Sequence, residues 1–164
     1  MGHSLLYNNF IKPHVDNEDP FLIFRDGSSI SYQDFFSLSK KISQFFVENH
    51  INKGDRVLFQ LEKSIYGLAV YTACIMTGSI YVPLNDQYTL EETKYFINDS
   101  EPKFIFCSSN RAKEIQKLNL KEDTSIYEID PLNGFLKFNI NEYKELEDIQ
   151  TVNSDDIISF LYTS

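Results

Sequence analysis

The run DRVLFQLEKSIYGLAVYTACIMTGSIYVPLN, residues 55–85, decides the fold class. Arg56 to Leu61 is a nearly continuous apolar stretch, as a strand covered on both faces requires. Ser64 follows as the N-cap of a helix carrying Leu68, Ala69, Tyr71, Thr72, Ile75 and Met76. Gly78 supplies the residue that ends it, because only glycine enters the left-handed region without strain. Ile80 to Leu84 is the next strand. Strand, helix, strand is the unit that pairs two strands in parallel through a right-handed crossover. No charge falls between Lys63 and Asp86, yet Tyr71, Thr72, Thr77, Ser79 and Tyr81 interrupt the run and Gly78 and Pro83 break it. Those residues argue against a membrane span.

Outward from this unit the alternation continues. Upstream, Phe21 to Phe24, the turn Asp26-Gly27 and Ser29 to Ser31 read as a hairpin. Ser31 stands three residues before Asp34, a capping arrangement. Phe35, Leu38, Ile42, Phe45 and Phe46 then fall on one face of a helix from Tyr32 to Asn49. Asn52-Lys53-Gly54-Asp55 is turn chemistry. Downstream, Thr89 and Glu92 form a second capping box opening a short helix through Tyr95, Phe96 and Ile97. Phe104 to Cys107 is a fully apolar strand. Ser108-Ser109 caps a helix ending near Leu118, and Ser125 to Ile129 is a weaker strand. Asp130 to Ser154 reads as polar and irregular, with a short helix around Tyr143 to Leu146, and Ile157 to Leu161 as a further buried strand. The reading is α/β, layered, with a mostly parallel sheet.

The chain has 164 residues, 42% hydrophobic and 24% charged, enough for one core and one domain. Lys and Arg number 15 against 24 Asp and Glu, a net charge of −9. Without a basic face the chain is not expected to bind nucleic acid, and an anionic membrane surface would repel it. Cys74 and Cys107 are separated, sit in apolar stretches, and share no metal-ligand spacing with His3, His14 or His50. They read as buried free thiols of a reducing compartment, the cytoplasm. Acidic Asp16, Glu18 and Asp19 near the start argue against a targeting peptide.

The closing residues Tyr162, Thr163 and Ser164 carry hydroxyls past the last strand, where α/β sheets bind ligands. Taken alone, Ser and Thr there read more often as a helix cap than as ligand contacts. A strand followed so closely by the end of the chain predicts a truncated sequence.

Three ordered segments carry a resemblance. Ser31-Tyr32-Gln33-Asp34-Phe35 is similar to the opening "(T/S)Yxxl" segment of AMP-forming acyl-CoA synthetases and adenylation domains. Met76-Thr77-Gly78-Ser79-Ile80-Tyr81-Val82-Pro83-Leu84-Asn85 resembles their "kaGaxyvPld" segment. Ile158 to Ser164 is similar to the run into their phosphate loop, "YTSGTTGxxKG". Residues 60–64, 83–90 and 95–103 most resemble malonyl-CoA synthetases. The resemblance implies residues 1–20 as an amino-terminal extension and 21–164 as the amino-terminal portion of an AMP-binding domain. It implies ATP, Mg²⁺ and coenzyme A as the full-length enzyme's co-substrates and a small carboxylic acid, malonate favoured, as its substrate.

By position in the motif, the resemblance gives Thr163 and Ser164 contacts to the β- and γ-phosphates of ATP. It assigns no catalytic residue and no metal ligand here, so residues 1–164 are expected to be inactive alone. Another acyl, aryl or amino-acid specificity, or a non-catalytic α/β binding module, are the alternatives. Glu91-Glu92 and Asp155-Asp156 read as helix-start charge and a solvated loop edge rather than acid–base pairs. His14 and His50 lack triad partners. The abundant Phe and Tyr read as core filling. Lys63 reads as solvent-facing, with an anion contact as its other reading.

Overall fold

A computed structural model describes residues 5–162. A hairpin, β1 (Pro20–Ile23) and β2 (Ser29–Ser31), leads into α1 (Tyr32–Glu48). Then follow β3 (Arg56–Gln60), α2 (Ile65–Thr77), β4 (Ile80–Pro83), α3 (Leu90–Ser100), β5 (Phe104–Cys107), α4 (Ser109–Ile115), β6 (Ser125–Asp130) and β7 (Gly134–Phe135). The main sheet has the order β4-β3-β5-β6-β7, parallel except for the antiparallel β6–β7 pair.

The helices begin where the sequence places their caps. The side chains of Ser31, Ser64, Thr89 and Ser108 each accept a hydrogen bond from a first-turn backbone N–H, and Thr89 with Glu92 closes a reciprocal capping box. Gly78 ends α2 at φ +70°.

Alternation along the central strands divides the core into two layers. Val57 and Phe59 of β3 and Phe104 and Phe106 of β5 pack with α1 and α2 on one face of the sheet. Leu58, Ile105, Cys107 and Val82 pack with Ile97 of α3 and Ala112 and Ile115 of α4 on the other. Aromatic rings dominate the first layer: Phe45 of α1 stacks on Phe138 at 4.5 Å and meets Tyr127 edge-on at 5.0 Å. Burial of each such ring contributes about 1.5–3 kcal/mol before conformational entropy is set against it. The single turns Tyr7–Ile11 and Lys12–His14 precede the hairpin, and Ile11 is buried in this same layer.

The closing stretch differs from a buried strand. Residues 157–161 run parallel to β4 through one bridge, Tyr81 to Ser159. Tyr81 N–H donates to the Ile158 carbonyl at 2.9 Å and Phe160 N–H to the Tyr81 carbonyl at 3.0 Å. The other edge of this stretch pairs with nothing among the described residues, so Ile157 and Leu161 stay 54% and 73% exposed. The short helix expected at 143–146 is instead a 3₁₀ turn at Ile140–Glu142, because the Asn139 side chain caps Asn141 N–H and Tyr143 is extended into the aromatic cluster. Helix α4 stops at Ile115, and Lys117 and Leu118 close it with tighter bonds to Glu114 and Ile115. No helix among the described residues is long and apolar enough to cross a membrane.

Candidate functional site

Chain order sets where a ligand site can form. From β3 the chain crosses through α2 to β4 on one side, then through α3 to β5 on the other. The connections therefore lead to opposite sides of β3, while β4 and β5 both run parallel to it, and a crevice opens beyond its carboxyl end. Gln60 is fixed there in the core: its side-chain Nε2 donates to Thr93 Oγ1 at 2.9 Å and to the Asn85 carbonyl at 3.1 Å.

Two hollows lie beyond the strand ends. The first, about 520 Å³, sits over β3 and β4 and is lined by Phe59, Leu61, Tyr71, Tyr81, Pro83 and the start of α2. Gly67 lets α2 come close to the Phe59 ring in its wall: a Cβ there would lie 2.9 Å from that ring. Burial holds the Tyr81 phenol protonated well above its ordinary range. Lys63 stands exposed on the rim and makes no ion pair among the described residues. The second hollow, about 390 Å³, opens between β3 and β5 and is lined by Glu62, Asp86, Ser108, Asn110, Arg111 and Glu114. Its one guanidinium is committed to structure: Arg111 donates to the Tyr88 carbonyl at 2.6 Å and pairs with Glu114 at 2.9 Å.

The segment leading to Thr163 is tied down at several points. Gln150 N–H donates to the Met76 carbonyl at 2.9 Å, and Lys53 Nζ pairs with Asp156 at 2.5 Å and donates to the Thr151 carbonyl at 3.3 Å. Lys53 and the Asn153 N–H together hold the Asp156 carboxyl below its ordinary range. Farther on, the Tyr162 hydroxyl donates to Asp99 Oδ2 at 2.8 Å. Thr163 and Ser164 lie outside the described residues.

The carboxylate pairs do structural work. Glu92 accepts from Thr89 N–H and Oγ1, which lowers its pKa, and Asp156 accepts from Asn153 N–H. His14 stacks on Tyr32 at 5.1 Å, far from any nucleophile pair. Among the described residues no group of three His, Cys, Asp or Glu side chains could hold a metal ion. Two features escaped the sequence reading, the Gln60–Thr93 pair and the Asp99–Tyr162 contact. Gln60 left a trace, a polar residue in an otherwise apolar strand; Asp99 left none.

This is a parallel sheet with its hollows beyond the strand ends, and residues 12–164 match the AMP-binding enzyme family. The chain belongs to that family. Among solved structures it is similar to apo MatB from Rhodopseudomonas palustris, at TM-score 0.89 and 29% identity over 98% of this chain and 32% of that one. ATP-bound MatB from the same organism gives TM-score 0.88 and 28% identity, over 100% of this chain and 33% of that one. Among curated proteins it is 24% identical to the crotonobetaine/carnitine–CoA ligase of Citrobacter koseri over 87% of this chain and 30% of that enzyme. The chain spans a third or less of the length of these relatives.

Proposed function

We propose that this chain is the amino-terminal part of an ATP-dependent acid–CoA ligase, with residues 21–164 contributing to its AMP-binding domain. The enzyme joins a carboxylate to AMP with release of pyrophosphate, then passes the acyl group to coenzyme A with release of AMP. The single observation that carries this reading is the overlay on ATP-bound MatB along the whole chain. Thr163 and Ser164 would supply a hydroxyl each to the β- and γ-phosphates, where negative charge must be met by donors. Mg²⁺ enters with ATP as part of the substrate. Residues 1–164 by themselves carry neither step, and their task is to present the phosphate-binding residues from the edge of β4. Two buried free cysteines suit a reducing, cytoplasmic setting.

Malonate is the favoured acid, on the strength of the MatB likeness at 29% identity. A second reading, another carboxylic acid, is favoured by the identity to a carnitine–CoA ligase. The test is pyrophosphate release by the full-length polypeptide with ATP, Mg²⁺ and coenzyme A, given malonate, crotonobetaine, benzoate or proline in turn. Release with malonate above the others supports the first reading, and release with another acid alone replaces it by the second. No release with any acid overturns the ligase reading.

A further inference from the structure

The backbone between the edge of β4 and Thr163 has few anchors. Phe160 is held through its N–H by the Tyr81 carbonyl, and Leu161 is 73% exposed and gives no hold. Tyr162 is then gripped by its side chain. Its ring lies 4.4 Å from that of Phe96, and its hydroxyl donates to Asp99 one helical turn farther along α3. Asp99 is exposed and makes no ion pair among the described residues, so Tyr162 is its one close partner there. A carboxylate acceptor makes this a charge-assisted bond, stronger than one between neutral groups.

We propose that Asp99 is a positioning residue for the phosphates of ATP: by accepting from Tyr162 it fixes the backbone immediately ahead of Thr163 and Ser164. The inference rests on the ligase reading above, which assigns those two residues to the phosphates. One residue of chain spans about 3.8 Å, so a Tyr162 free to rotate would carry Thr163 out of range of a phosphate oxygen that has to be met to within about 0.5 Å. With Tyr162 held, the chain entering that position is fixed before ATP arrives, and binding does not have to supply that part of the ordering.

Asp99→Ala and Asp99→Asn in the full-length enzyme test this, with Tyr162→Phe as an independent route to the same lost bond. Expected is a rise of roughly two- to tenfold in the KM for ATP in D99A and Y162F, the equilibrium weight of one hydrogen bond. The KM for the acid should stay unchanged, and D99N, which keeps an acceptor oxygen, should recover most of the loss. Because Asp99 is exposed, the melting temperature should move little. An unchanged KM for ATP, Asn as damaging as Ala, or a fall in kcat with no split between the two KM values overturns the inference while leaving the ligase reading intact. A wild-type enzyme without acid-dependent pyrophosphate release overturns the ligase reading, and the inference with it.

Discussion

Gln60 and Thr93 join the end of β3 to α3 inside the core: both are buried, Gln60 Nε2 lies 2.9 Å from Thr93 Oγ1, and that oxygen lies 3.3 Å from Gln60 Oε1. The pair bridges the point where the sheet's connections diverge, and Gln60 also holds the Asn85 carbonyl beyond β4. Thr93→Val keeps the volume and removes the hydroxyl, leaving a buried amide short of a partner. It should cost about 1–3 kcal/mol in urea unfolding. Gln60→Leu with Thr93→Val should cost less than the two single changes added together, because the second removes a group the first has orphaned. Additive losses would show that the contact contributes nothing of its own.

Gly78 sits at φ +70° where α2 hands over to β4, and a Cβ there would lie 3.0 Å from Lys53 Cγ and 3.2 Å from Gln150 Cγ. Both neighbours belong to flexible side chains, so backbone strain rather than collision sets most of the cost. Gly78→Ala should destabilise by about 1–2 kcal/mol, the weight of a left-handed conformation for an L-residue. Thermal unfolding should show a drop of about 2–8 °C. An unchanged midpoint would mean that the helix end can relax into another turn.

How much was legible beforehand follows from the range of the forces involved. Caps and helix ends are local, so Ser31, Ser64, Thr89, Ser108 and Gly78 announced α1 to α4 correctly. Apolar runs announced β3, β4 and β5 because both faces of each are covered. Where an element depends on a distant partner, the pattern failed. The stretch around Ile157–Leu161 has the composition of an inner strand, yet its neighbour on one side is Tyr81 and on the other nothing described, so half its apolar residues face outward. β7 is too short for any periodicity and exists only because Ile129 and Asp130 pair with it. Of the candidate site, only the motif ending in Thr163 and Ser164 stood out in the sequence, and those two residues lie outside the described ones. The Asp99–Tyr162 contact was not, since it joins positions far apart in sequence through one hydrogen bond.

Cys74 and Cys107 are buried on opposite sides of the sheet, and burial pushes both thiols up to about 12. At pH 8 the thiolate fraction of such a group is on the order of one in ten thousand, and the thiolate is the reactive form. A chromogenic disulfide reagent should therefore leave both cysteines unmodified in the folded protein and label both across the urea transition. Rapid labelling of either one without denaturant would show that its part of the core opens locally.

Acid sensitivity offers a sharper test of how residues 150–156 are held. The folded pKa of Asp156 lies below its ordinary 3.8, first because Lys53 bonds it and then because Asn153 N–H does. A carboxylate lowered on folding stabilises fully above its unfolded pKa, and that contribution disappears as pH falls through the lower folded value. Urea midpoints measured from about pH 6 down to about pH 2.5 should therefore fall more steeply in the wild type than in Lys53→Met, with the loss beginning near pH 4. At the acid end the two curves should draw together, because protonated Asp156 no longer attracts Lys53. The other carboxylates lowered by local bonds, Glu92, Glu101, Glu128 and Glu145 among them, titrate in both proteins and cancel from the difference. Curves that stay parallel over the whole range would mean that Lys53 and Asp156 lie close without favouring the folded state, and that the Gln150 bond to Met76 and the burial of Val152 hold this segment.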